Sequence, residues 1–159
     1  MEPKIEVLYQ KKLLGSHITM STVQNKTAQL WGAFVPQMKN IKNRASADKI
    51  SMQLYPPSYF EHFDASTKFE KWATVEVTDF EFIPNGIEPF TLEGGLYAVF
   101  SYKGISSDTS IFQYIFGEWL PKSAYEVDNR PHFEILGEKY ANNDPNSEEE
   151  IWIPITGKS

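Results

Sequence analysis

One alternation occurs twice in this chain, and it dictates two strands of matched design. In Ser147-Glu148-Glu149-Glu150-Ile151-Trp152-Ile153-Pro154-Ile155, an extended backbone sends successive side chains to opposite faces. Ile151, Ile153 and Ile155 then share one face, and Glu148, Glu150 and Trp152 share the other. Glu70 to Thr78 repeats the design, with Ala73, Val75 and Val77 one way and Trp72, Thr74 and Glu76 the other. Two helical segments echo one another as well. Lys26 to Met38 carries Leu30, Trp31, Phe34, Val35 and Met38, and Asp108 to Leu120 carries Ile111, Phe112, Ile115, Phe116, Trp119 and Leu120. Spacings of three and four give each helix one buried stripe, which places Trp31 and Trp119 in the core. Phe34 and Phe116 correspond at an offset of 82 (116 − 34), and Glu76 and Glu150 at 74 (150 − 76). The pattern predicts a divergent duplication: an α+β domain of two pseudo-symmetric βαββ units, about 1–88 and about 89–159, with helices outside and a ligand groove between the sheets.

The same alternation suggests chemistry. A carboxylate beside an indole, on the face opposite the aliphatic residues, suits a flat organic cation: the ring stacks and the carboxylate supplies countercharge. The competing reading is a solvated acidic strand end with one packed Trp. Composition fits a pocket as well as an interior. Aromatic residues make up 14% of 159 residues, and the net charge is −6 with scattered basic side chains. That excludes a basic nucleic-acid surface and is compatible with attracting cations. Cysteine is absent, so disulfides, thiolate metal sites and cysteine nucleophiles are excluded. No apolar run is long enough to span a membrane, and Met1-Glu2-Pro3-Lys4-Ile5 has no hydrophobic signal core, which makes the cytoplasm the expected location.

Along the chain, Ile5 to Met20 reads as a strand bent near Gly15, and Asn25 as the N-cap of the first helix, which Pro36 ends or kinks. Ile50 to Tyr55 is a strand stopped by Pro56-Pro57. Pro84-Asn85-Gly86 is a turn before a strand from Phe90 to Tyr102. Ser106, Ser107 and Asp108 offer caps for the second helix, Pro131 to Tyr140 is a strand, and Asn142 to Asn146 is a turn. His17, His62 and His132 share no metal-ligand spacing, and Asp144 with Glu148 to Glu150 makes no convincing cage, so neither metal nor cofactor is expected. A serine-nucleophile elbow and a phosphate-binding glycine loop are also missing. Tyr55 to Phe63 packs four aromatics around two prolines. It is either a cluster that pins the loop or a lid whose Tyr59, Phe60 or Phe63 touches ligand.

Five segments in order, Gly94-Gly95-Leu96-Tyr97-Ala98-Val99-Phe100, Gly104, Glu118-Trp119-Leu120-Pro121-Lys122-Ser123, Pro131-His132-Phe133-Glu134 and Glu150-Ile151-Trp152-Ile153-Pro154-Ile155, resemble the GyrI-like family. This is the small-molecule-binding module of multidrug-responsive and AraC-type regulators. The first half resembles it more loosely, through Leu13-Leu14-Gly15, the helix, and Trp72 to Pro84. The resemblance implies two βαββ units about a pseudo-dyad and places Glu150 in the groove against cationic, hydrophobic ligands. No helix-turn-helix segment precedes the module, so no direct nucleic-acid contact is expected. The expected function is therefore a free-standing binder of amphipathic, cationic aromatic molecules, using Glu150, Trp152, Trp72, Glu76 and Tyr97 with Tyr59 and Phe63 from the loop. One alternative is a hydrolase of cyclopropane-bearing natural products, with Glu150 or Glu76 as general base and Tyr97 as acid. A gyrase-inhibitor-like role with an unknown protein partner is another. A monomer is expected, since every apolar stripe already has a place in the fold.

Overall fold

Strands Lys4–Leu8 (β1) and Lys11–Met20 (β2) are only two residues apart, yet they do not pair. The computed structural model, which describes residues 2–158, continues with helix Thr27–Phe34 (α1) and 3-10 turns Val35–Asn40, then strands Lys49–Leu54 (β3), Phe69–Val77 (β4), Glu88–Leu92 (β5) and Gly95–Lys103 (β6). Helix Ser110–Tyr114 (α2) runs on through a π turn, Ile115–Trp119, and a last turn, Leu120–Lys122. Strands Tyr125–Val127 (β7), His132–Leu136 (β8) and Glu148–Gly157 (β9) complete the described chain. The strand order is β1-β6-β9-β8-β3-β4-β2-β5, antiparallel at every pairing, with β7 added beside β9.

That order forces the sheet to roll. Six strand spacings separate β1 from β2, about 29 Å if the sheet were flat. The link Tyr9-Gln10 spans at most about 11 Å. The second link, Glu93-Gly94 between β5 and β6, makes the same demand, and the two links lie side by side: Gln10 Nε2 donates to Glu93 Oε2 at 3.4 Å. A Cβ on Gly94 would run into the Leu8 carbonyl oxygen, so the crossing needs glycine there. Two sequence expectations are corrected here. Ile5–Met20 is two strands broken at Tyr9-Gln10 rather than one bent at Gly15, and Phe90–Tyr102 is likewise two, broken at Glu93-Gly94. Each half lends its first strand to the other, since β1 pairs with β6 and β5 with β2.

The predicted α+β architecture of two βαββ units is present: β2-α1-β3-β4 and β6-α2-β8-β9 meet at the β3–β8 seam, so the two half-sheets are one continuous sheet. Each helix covers its own half from outside. Leu30 and Phe34 pack on Leu14, Ala73, Val75 and Val77, and Ile111 and Ile115 pack on Ala98, Phe100, Ile151, Ile153 and Ile155. The N-cap of α1 is Lys26 rather than Asn25 and makes no side-chain cap bond; Asn25, one residue earlier, accepts at its Oδ1 from the Thr27 N–H at 2.9 Å. Pro36 sits just beyond α1, where the helix tightens into 3-10 turns. Trp119 meets Phe100 edge-on at 5.2 Å, inside the second cluster as expected. The rolled side of the sheet needs no helix: Leu8, Leu13, Ile50, Met52, Trp72, Leu92, Tyr97, Val99, Phe133 and Trp152, from eight strands, fill it. Apolar side chains facing one another across the roll replace the missing layer.

The equivalence expected between Glu76 and Glu150 does not survive the registers. Superposing the links carries Leu8 onto Leu92 (92 − 8 = 84), and hence His17 onto Ser101 and Leu13 onto Tyr97. Their partners on the neighbouring strands follow: Trp72 matches Glu150, and Glu76 matches Pro154.

Candidate functional site

At the β3–β8 seam the helix-facing side chains turn polar. Ser51 and Gln53 of β3 lie opposite Glu134 and His132 of β8, and Lys71 of β4 lies opposite Gln53. The loop after β3 closes over this strip. Tyr55 touches Tyr59, Phe69 and His132 at 4.6, 4.8 and 4.9 Å. Phe60 reaches further and stacks on Phe116 of the π turn at 4.5 Å and 10°, and on His132 at 5.1 Å and 28°. Beneath it is a cavity lined by Gln53, Tyr55, Phe60, Phe112, Phe116, His132, Phe133, Glu134, Ile151, Trp152 and Ile153. Its volume is 20 Å³, room for about one water. The cleft is shut by an aromatic plug.

The electrostatics of this strip are those of charges held out of water. Burial pushes the Glu134 carboxyl above its ordinary range, and the Lys71 ammonium pulls it back. Burial lowers Lys71 in turn, opposed by Glu134 and Glu149. Glu149 is pushed up to about 7 by burial and then by Glu134, with Lys71 acting against both. Gln53, with its amide oriented to suit both neighbours, accepts from Lys71 Nζ and donates to the His132 carbonyl oxygen at 3.3 Å. His132 is held down to about 3 by burial and then by Arg130, so its ring is neutral. The result is one amine and two carboxyl groups, each pushed by burial towards its neutral form, beside an aromatic pocket.

The residues singled out from sequence fall in two groups, one inside the roll and one on the loop, and of them Trp152 also lines the cavity. Trp72, Trp152 and Tyr97 share the cluster inside the roll. Trp152 stacks on Phe133 at 5.2 Å, and its Nε1 donates to Glu150 Oε1 at 3.2 Å while Glu150 itself is exposed. Trp152 is also part of the cavity wall, whereas Glu150 points to the opposite face from Ile151 and Ile153. Trp72 stacks on His17 at 4.4 Å, and its buried Nε1 has no hydrogen-bond partner. Glu76 pairs with Lys11 at 3.2 Å, five residues along β4 from Lys71. The Tyr97 hydroxyl donates to the Pro131 carbonyl oxygen at 2.7 Å, and burial pushes it up to about 12. Tyr59 is buried against Tyr55 and Phe69, with Phe63 exposed at its edge.

What the sequence reading missed is Glu134, Lys71, His132, Phe112 and Phe116. A signal was present: Glu134 stands in the Pro131-His132-Phe133-Glu134 segment, and alternation puts His132 and Glu134 on the face opposite Phe133. Two polar residues facing a helix layer mark an interior polar site. Among the described residues, no helix is long and apolar enough to cross a membrane, and no cluster of three candidate ligands could hold a metal.

Comparisons with known proteins place this geometry. No curated protein sequence matches the chain. Among solved structures, SAV2435 bound to tetraphenylphosphonium aligns with a TM-score of 0.73 and 20% identity, over 99% of this chain and 95% of that one. The EcmrR C-terminal domain aligns with a TM-score of 0.74 and 10% identity, over 99% and 98%. The integron cassette protein VCH_CASS2, from the mobile metagenome of Vibrio cholerae, aligns with a TM-score of 0.65 and 14% identity, over 98% and 96%. At these identities the likeness shows a shared fold, the GyrI-like fold. The sequence model described as "Cass2: Integron-associated effector binding protein" matches residues 4–155. The chain therefore belongs to the Cass2 family of integron-associated effector-binding proteins.

Proposed function

We propose that this protein binds aromatic organic cations at the seam, between Phe116 and His132, in the place that Phe60 fills in this structure. The observation that carries the reading is the Phe60 sandwich itself, 4.5 Å from Phe116 and 5.1 Å from His132, directly over the cavity that Glu134 lines. A ring already sits where a ligand ring would stack, beside a carboxylate that burial disfavours as an anion. A cation entering there offsets the desolvation that Glu134 already bears, and each aromatic contact adds about 0.5–1.5 kcal/mol. The cavity must grow from 20 Å³ to several hundred, so the loop has to withdraw Phe60 on binding. Tyr59 and Phe63 belong to that moving loop, and Trp152 belongs to the wall. Trp72, Tyr97, Glu76 and Glu150 hold the rolled face. Tetraphenylphosphonium, bound by SAV2435, has the required chemistry and serves as probe.

Calorimetric titration with tetraphenylphosphonium tests this. Glu134→Gln should weaken binding about tenfold or more while leaving neutral triphenylphosphine oxide unaffected. Phe60→Ala should tighten both, because no plug has to be displaced. No binding to the wild type, or equal affinity in Glu134→Gln, would refute the proposal.

A further inference from the structure

We propose that the open cleft between β1 and the C-terminal end of the second helix is a ligand site separate from the seam, for aromatic amines that carry a flat ring and a primary ammonium. The helix and its extension pack on β6 and β9, through Ala98, Phe100, Ile151, Ile153 and Ile155. β1 is the next strand out, and Ile5, opposite Ala98 on the same face, is left 41% exposed. This overhang and the helix enclose a cleft of about 450 Å³, against 20 Å³ at the plugged seam, and the two have no lining side chain in common. Such a volume takes a ligand of one or two rings as it stands.

Trp119 and Tyr125 supply the aromatic surface. Their rings lie 6.4 Å apart and 18° from parallel, with Trp119 braced edge-on against Phe100. Ser123 sets Tyr125 in place: its Oγ accepts from the Tyr125 N–H at 3.1 Å and donates to the Leu120 carbonyl oxygen at 2.8 Å. Glu2, Glu118 and Lys122 stand exposed in the same cleft, and none of their side chains makes an ion pair or hydrogen bond among the described residues. Spaced at i and i+4, Glu118 and Lys122 would be neighbours in a regular α-helix. The π turn Ile115–Trp119 intervenes, and it carries Phe116 to the seam but Glu118 and Trp119 to the cleft. Two carboxylates to one ammonium make the rim negative, beside rings whose faces attract a cation. A flat amine meets both.

Tryptamine, a cation, and indole-3-propionate, an anion with the same ring, are the matched probes. In nitrogen-edited NMR spectra tryptamine should shift the signals of Ile5, Trp119 and Tyr125 and leave those of Phe60 and His132 in place. It should bind about fivefold or more tightly than indole-3-propionate, a margin within reach of exposed charges. Glu118→Gln, at the exposed rim, should narrow that preference to about twofold, and Tyr125→Leu should weaken both probes. Shifts centred on Phe60 and His132, equal binding of the two probes, or binding of neither overturns the proposal. Wild-type behaviour of both variants overturns it as well, and should Tyr125→Leu fail to fold, an unchanged preference in Glu118→Gln does so by itself. Failure of tetraphenylphosphonium to bind, with tryptamine still held at the cleft, removes the seam reading and leaves this site standing.

Discussion

His132 does two things at once: its ring forms one wall of the Phe60 sandwich, and burial keeps it neutral. The second has a consequence in acid. Its pKa is lowered from 6.5 to about 3 in the folded state, so below pH 6.5 the unfolded chain takes up a proton that the folded chain refuses. Stability from this residue is present above pH 6.5 and declines as pH falls towards 3, by about 1.4 kcal/mol per unit. Glu149 has the opposite sign. Its folded value of about 7 exceeds 4.5, so its contribution is greatest in acid and declines as pH rises through that window. In the difference between wild type and His132→Asn the Glu149 effect cancels. Urea unfolding at pH 6 and pH 4.5 should therefore show the wild type losing about 2 kcal/mol more than the variant. Equal losses would mean that His132 is not held neutral.

At the scale of single elements, the link between β7 and β8 is tied down by one side chain. Arg130 Nη2 donates to the Leu96 and Ile155 carbonyl oxygens at 2.7 and 3.0 Å, its Nε pairs with Asp128, and its guanidinium lies 4.8 Å over the Tyr97 ring. It thus staples β6 to β9. Arg130→Ala should cost about 2–4 kcal/mol in chemical unfolding, because two carbonyls lose charged donors. Arg130→Lys should recover only part of that, since an ammonium cannot reproduce the fork. In α1, Gly32 is a helical residue whose absent Cβ would meet open space. Gly32→Ala should raise stability by about 0.5–1 kcal/mol and leave ligand affinity unchanged, readable as a higher melting temperature. A lower one would mean that α1 needs freedom at that turn.

At the scale of the molecule, the two crossing links decide the shape. Gly94→Ala would push a methyl group into the Leu8 carbonyl, where two strands from opposite ends of the sheet meet. The expected loss is about 1–3 kcal/mol, with more than local effect, because the same crossing sets how tightly the roll closes over Trp72 and Trp152. Amide hydrogen exchange should show lost protection in β1 and β6 together. Loss confined to Leu8 and Gly94 would limit the crossing to a local contact.

The strand alternation of β4 and β9, the stripes of both helices and the four-aromatic loop were legible residue by residue, because periods of 2 and 3.6 are local properties of a backbone. So was the presence of one Trp and one Glu on a shared face. Which face carries the polar seam was not legible. Alternation separates two faces without saying what covers each, and a rolled sheet buries both: helices take the Ile151 side, and the roll takes the Trp152 side. The roll follows from pairings such as Lys4 with Val99, which no local pattern encodes. The same holds for the candidate site. Phe60, Phe116 and Glu134 come from three elements, and in isolation each reads as a surface charge or a core ring. The sequence by itself determined the elements and their chemistry. Strand order, a non-local outcome of two short links and antiparallel pairing across the seam, decided which of those residues share a pocket.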